Sequence, residues 1–151
     1  MAEKAAKHID VTNKKASFEY FFLEKFSAGM VLTGTEVKSI RLNKFSMVDA
    51  YCFFDGSELF VKNLNISKYE QGTHYNHNPL RDRKLLLKKK ELKRLANKLT
   101  DKGLTIIPTR LFINDGGLAK LDIALAKGKK LYDKRDSIKE RDVTRERMRE
   151  D

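Results

Sequence analysis

The chain has 151 residues, a single cysteine (Cys52), and 32 Lys and Arg against 21 Asp and Glu, a net charge of +11. That length supports one domain with a real core; the lone cysteine excludes an internal disulfide framework and fits a reducing cytoplasm; no apolar run is long enough to span a bilayer. The excess positive charge favours a polyanionic partner, and it is unevenly placed: residues 81–102 hold ten Lys and Arg against three Asp and Glu, residues 127–151 hold ten against seven, and the remainder is near neutral.

Residues 1–10 have no apolar core region, so they are read as a short disordered arm and not a secretory signal. Phe18, Tyr20, Phe22 and Leu23 give residues 16–26 the composition of a strand, with a bend at Ala28-Gly29 and extended chain again from Met30 to Leu32. Thr33 and Glu36 stand at capping-box spacing, which predicts a helix over about 34–41 with Val37, Ile40 and Arg41 on one side. Residues 47–54 and 58–66 are strand candidates joined by a hairpin signal at Asp55-Gly56. A long polar loop, 67–80, carries Tyr69, His74, Tyr75 and His77 and is closed by Pro79.

Three adjacent leucines, Leu85 to Leu87, do not make one helical face, so a short strand is expected there. Leu92, Leu95, Ala96 and Leu99 recur at helical spacing, with Glu91 as third helical residue, Gly103 as the expected cap, and Lys and Arg on the opposite face. Residues 104–113 and 118–126 form a strand pair around the Asn114-Asp115-Gly116-Gly117 turn. Short strands with two inserted helices predict a mainly β fold, a small closed antiparallel barrel of the OB type, spanning residues 11–126.

Residues 127–151 have no continuous apolar face, since Ile138, Val143 and Met148 are five apart. This tail is expected to be disordered when free and helical on a partner, with Ser137 and Glu140 at capping-box spacing. Its opening run, Lys127 to Arg135, holds five Lys and Arg with one aromatic, Tyr132. Cations neutralise phosphates and an aromatic face stacks on a base, so the run points to nucleic acid. Catalytic signals are lacking: His74 and His77 have no further ligands at metal-site spacing, and there is no nucleophile elbow, P-loop or dinucleotide fingerprint.

Several blocks taken in order resemble a known family. They are Asn13-Lys14-Lys15-Ala16, Gly34 to Arg41, Tyr69 to Gly72, Asn78-Pro79-Leu80-Arg81, Arg83 to Leu87, Ala126 to Arg135 and Lys139 to Asp142. Together they are similar to the SsrA-binding protein (SmpB) family, whose members partner transfer-messenger RNA (tmRNA). The resemblance runs from about residue 10 to 142. It implies a cytoplasmic, cofactor-free, non-enzymatic protein, monomeric and 1:1 with tmRNA, whose body binds the tRNA-like end of that RNA and whose tail enters the empty mRNA channel of a stalled ribosome.

Carried over by position, the resemblance implies RNA contacts on the body at Asn13, Lys14, Tyr20, Glu36, Lys38, Arg41, Lys84, Leu86 and Lys120. It implies ribosome contacts in the tail at Lys127, Gly128, Lys129, Lys130, Tyr132, Asp133, Lys134 and Arg135. Each has a plainer reading. Asn13, Lys14 and Tyr20 fit a strand edge; Glu36 fits a helix-start carboxylate serving backbone N–H groups; Leu86 fits a core. In the tail, Gly128 gives the chain freedom to leave the barrel, Tyr132 stacks on a base, and Asp133 holds Lys134 or Arg135. Two positions depart from the family pattern: Ser27, where many members carry an acid, and Asn43, where many carry glycine. The rival functions are a general ribosome-binding protein without a tmRNA role, and an RNA-processing enzyme.

Overall fold

The structure, a computed structural model, describes residues 9–71, 76–101 and 103–129. Among these residues nine strands and three helices follow in the order β1 (Asp10–Thr12), α1 (Lys14–Glu19), β2 (Tyr20–Met30), α2 (Gly34–Arg41), β3 (Phe45–Ser46), β4 (Tyr51–Asp55), β5 (Glu58–Lys62), β6 (Asn65–Ile66), β7 (Arg83–Leu86), α3 (Lys89–Lys98), β8 (Leu104–Ile113) and β9 (Ala119–Gly128). The antiparallel pairings run β8–β4–β5–β7–β2–β9 and return from β9 to β8, so they close in a ring, with β1 added to the end of β8. β3 and β6 form a separate two-stranded ladder.

Side chains alternate across each strand. The inward set, including Leu59, Val61, Leu85, Ile106, Leu111, Leu121 and Ile123, is buried, and α2 adds Ile40 while α3 adds Leu95. Each large aliphatic removed from water contributes roughly 1.5–3 kcal/mol. A smaller cluster of Ala16, Ile107 and Ala126 lies under α1, with Tyr20, Phe22 and Tyr51 packed against it.

Locally determined elements match expectation. α2 covers Gly34–Arg41, with the Thr33 hydroxyl and the Glu36 carboxylate completing a capping box. The β4–β5 hairpin closes on Gly56-Ser57, Asp55 pairing with Glu58, and Gly56 takes the positive φ such a two-residue turn needs. Asn43 adopts the left-handed conformation, φ 61, just past α2.

Other expectations are corrected. Residues 14–19 are a helix: the Asn13 side chain accepts from the Ala16 N–H at 3.2 Å and starts α1, so exposed Phe18 never joins a strand. β2 runs through Ala28-Gly29 without a bend and is irregular instead at Leu23, where its register with β9 shifts. Ile9 is buried and Asp10 is a strand residue paired with Phe112, although both were assigned to the arm. β9 continues past Ala126, because Lys127 and Gly128 pair with Phe21 and Tyr20. α3 ends at Lys98 with Leu99 as its cap, so Gly103 (φ 82) opens β8 and caps no helix.

One ionic cluster joins these parts. Glu36 and Arg83 are fully buried, with Arg83 Nε 2.6 Å from the Glu36 carboxylate. Arg81 adds two bonds to the same carboxylate, at 2.7 and 3.1 Å, and the Thr33 N–H a third at 2.8 Å. Arg83 also donates to the carbonyls of Leu64 (2.5 Å) and Pro79 (3.1 Å), and Arg81 to that of Val31 (3.2 Å). Burial alone would raise the Glu36 carboxyl, but bonds from Arg81, the Thr33 N–H and Arg83 outweigh it and hold it at about 2.

Replacing Glu36 with Gln strands the Arg83 charge and should cost about 3–5 kcal/mol, read as a lower urea midpoint. The folded carboxyl titrates below its ordinary value of 4.5. Its stabilisation is therefore complete above that pH and lost as pH falls towards 2, about 3 kcal/mol in all. Acid unfolding of the wild type should deepen across that window more steeply than that of Glu36→Gln, which keeps only the other lowered carboxylates such as Asp10; superimposable acid curves would refute the assignment.

Candidate nucleic-acid interface

The alternation that buries Leu85, Leu111, Leu121 and Ala28 turns their neighbours outwards. The register sets these neighbours in two rows. One runs Thr12–Arg110–Asp122–Ser27 across β1, β8, β9 and β2. The next runs Asp10–Phe112–Lys120–Gly29–Leu86 and reaches β7. Two residues expected at the interface, Lys120 and Leu86, thus flank Gly29. A Cβ at Gly29 would lie 3.6 Å from the Leu86 Cβ and 4.0 Å from the Lys120 Nζ, in ordinary contact with both, so the two side chains border this position closely. Beside them lies a shallow apolar concavity of about 470 Å³ lined by Met30, Leu32, Val37, Leu86 and Leu118. Leu86 is half exposed, so it is no core residue.

The Arg110 side of this platform is held by charge. Arg110 grips Asp10 with two bonds, Nε at 2.7 Å and Nη2 at 2.9 Å, and donates from Nη1 to Asp122 at 3.3 Å. The hydrogen bond from Arg110 lowers the Asp10 carboxyl below its ordinary value, and the reciprocal bond raises Arg110. Sequence reading passed over Arg110 and Phe112; a polar residue alternating with apolar ones in a strand was the available signal.

The remaining body candidates separate. Lys38, exposed on α2, places its ammonium 5.4 Å from the centre of the Tyr69 ring. Arg41 lies exposed at the end of α2, near Gly117 beside the concavity. Lys84 is ion-paired with Glu58 at 2.7 Å. Lys14 is exposed at the start of α1, and Tyr20 packs half-buried beneath that helix. Asn13 and Glu36 are instead turned into the fold. The Asn13 side chain is buried, accepting from the Ala16 N–H at 3.2 Å and donating to the Pro108 carbonyl at 2.9 Å. Glu36 has no exposed surface with which to meet RNA or orient Lys38 or Arg41.

The expected loop histidine, His77, is also buried. It bonds the Ile66 carbonyl through Nε2 and the Thr35 hydroxyl through Nδ1, both at 2.8 Å, which ties the loop to β6 and α2. Among the described residues, no cluster of three or more His, Cys, Asp or Glu is placed to hold a metal ion, and no helix is long and apolar enough to cross a membrane.

The start of the tail, Lys127, lies towards the far end of β9, seven residues and about 23 Å from Lys120. Lys127 and Gly128 are strand residues there, so Gly128 does not release the chain. The Lys129 ammonium sits 5.0 Å from the Phe21 ring centre and donates to the Ser17 carbonyl at 3.2 Å. Exposed Phe18, Phe21 and Leu23 occupy the same end. Lys130, Tyr132, Asp133, Lys134 and Arg135 lie outside the described residues, as does the expected tail helix.

A family profile described as SmpB protein matches residues 10–151, the body and the tail together. The chain belongs to the SmpB family. An SsrA-binding protein of Cytophaga hutchinsonii is 59% identical over 147 residues, covering 97% of this chain and 96% of that one. One from Parabacteroides distasonis is 57% identical, covering 97% and 95%. A solved chain described as "tmRNA-SmpB: a journey to the center of the bacterial ribosome" is similar with a TM-score of 0.69 and 43% identity, over 80% of this chain and 85% of that one. Of the two departures from the family pattern, Asn43 keeps the left-handed turn, while Ser27 faces Asp122 across the β2–β9 ladder, so a carboxylate stands beside that position.

If Asn13 serves the fold, Asn13→Ala should lower stability by about 1–2 kcal/mol through the lost cap and the stranded Pro108 carbonyl. Lys14→Ala should leave the thermal midpoint unchanged. Equal midpoints for Asn13→Ala and wild type would return Asn13 to the list of contact residues.

Proposed function

We propose that this chain is a non-catalytic RNA-binding factor of trans-translation, which binds the tRNA-like part of tmRNA and delivers that RNA to ribosomes stalled on messages without a stop codon. The observation that carries this reading is membership of the SmpB family over body and tail alike. Lys120, Leu86 and the open surface over Gly29 give the body a contact face. Such a face recognises folded RNA by shape, 2′-hydroxyl and phosphate contacts more than by sequence. Lys38 and Arg41 extend it along α2, and Lys14 and Tyr20 belong to a separate contact near the start of the tail.

The tail carries the second half of the mechanism. From Lys130 onwards it enters the vacant mRNA channel, where Tyr132 stacks on an exposed ribosomal base and Lys134 and Arg135 meet phosphates. Ordering a segment on binding costs free energy, so engagement depends on the channel being empty. The protein acts in the cytoplasm, without a cofactor, one copy per tmRNA.

A gel shift with a transcript of the tRNA-like domain, scanned against salt beside an unrelated RNA, tests the body. Lys120→Ala should weaken specific binding and reduce the slope of log affinity against log salt by about one. Equal affinity for both RNAs would leave only a general ribosome-binding protein. For the tail, the informative cut is after Lys129, because cutting after Ala126 also removes strand residues. That truncation should bind the transcript nearly as tightly as the full chain and fail to tag peptides on stalled ribosomes, with Tyr132→Ala partly defective. Loss of transcript binding on truncation would overturn this division of labour.

A further inference from the structure

We propose that the Arg110 guanidinium, resting on the Phe112 ring, is a stacking seat for one unpaired nucleobase of the bound RNA. The proposal rests on the RNA-binding reading of the platform and assigns a ligand to its β1–β8 side. The guanidinium carbon lies 3.9 Å from the centre of the Phe112 ring, so one face of the cation is covered. Its edges are occupied by Asp10 and Asp122 through Nε, Nη1 and Nη2. The Arg110 side chain nevertheless remains 40% exposed. With one face on Phe112 and the edges bound to carboxylates, the opposite face of the plane is the side left for a stacked ligand.

The chemistry selects the occupant. Two carboxylates against one guanidinium leave the trio with net negative charge, so a phosphate gains little by approaching it. A nucleobase is neutral, presents a π face, and needs none of the donors already engaged. Unpaired bases of folded RNA stack on aromatic rings and on guanidinium planes in this manner. The carboxylates hold the plane still, so little side-chain freedom is lost on stacking. Lys120 lies directly across the ladder from Phe112, placed for the phosphate of the same nucleotide. The hydroxyls of Thr12 and Ser27 end the Arg110 row and can serve a base edge.

The test uses the full-length protein and the tRNA-like-domain transcript. Arg110→Lys keeps the charge but removes the plane; Phe112→Leu keeps both ion pairs but removes the flat support. Each should weaken binding about tenfold with an unchanged salt slope, since no cation is lost. Each should also expose to chemical probing one unpaired base that the wild type protects. Circular-dichroism melting checks that β1 stays docked, and Phe112→Leu carries the test if Arg110→Lys unfolds. Wild-type affinity and protection in both variants overturn the seat. So does wild-type affinity in Arg110→Lys alone, which marks a charge contact to phosphate that needs no plane. Lys120→Ala run in parallel separates the two readings: if it alone weakens binding, the platform stands without the seat, and if all three variants bind as wild type, the platform reading falls as well.

Discussion

The buried Glu36–Arg83 pair is the contact on which the arrangement of α2, β7 and the loop between β6 and β7 depends. A buried ion pair adds little net stability, because desolvation offsets attraction; it demands geometry instead, since every donor and acceptor must be met. Arg83 meets that demand with the carbonyls of Leu64 and Pro79. Glu36 meets it with Arg81 and the Thr33 N–H. The start of α2 is thereby locked to the sheet, and Val37 and Arg41 are carried to the edge of the platform. A residue that resembles an RNA contact in the linear sequence acts here through the fold beneath the contact surface.

The platform itself follows from period-two alternation in a closed sheet. The strands that send Leu111, Leu121 and Ala28 into the core send Arg110, Asp122 and Ser27 outwards one residue away. A slip of one residue in register would exchange the two sets. The core therefore enforces the outward platform, and its residues from five strands meet without a dedicated loop. Gly29 lies between Leu86 and Lys120, which strand pairing alone brings to its two sides.

The charge of the basic segment divides between fold and surface. Arg81 and Arg83 serve Glu36, Lys84 pairs with Glu58, and Arg94 pairs with Glu24. Lys88, Lys89, Lys90, Lys93 and Lys98 remain exposed on and before α3. Four of the ten cations counted in that segment are thus ion-paired within the protein, and the field offered to a polyanion is smaller than the sequence tally. β9 then links two basic ends, with Lys120 at one and Lys127 to Lys129 at the other.

Much of the fold was legible because its rules are local. Thr33 and Glu36 mark the start of α2, Leu104 to Ile113 reads as a strand, and Leu92, Leu95 and Leu99 mark the inner face of α3. The ordered motifs also carried the family. What could not be read depended on partners far along the chain. Asn13 becomes a cap and a tether because the Pro108 carbonyl lies above it, 95 residues on. Aromatic composition argued for a strand at Phe18, but that tertiary contact favours a helical turn. Glu36 becomes a core anion because two arginines 45 and 47 residues later converge on it. By itself the sequence determined the elements, the family and the charged tail, since propensity, periodicity and ordered motifs are written in neighbouring residues. Only the tertiary structure decided which polar side chains stay exposed and which are consumed inside, because the partner that satisfies a buried charge is chosen by strand pairing.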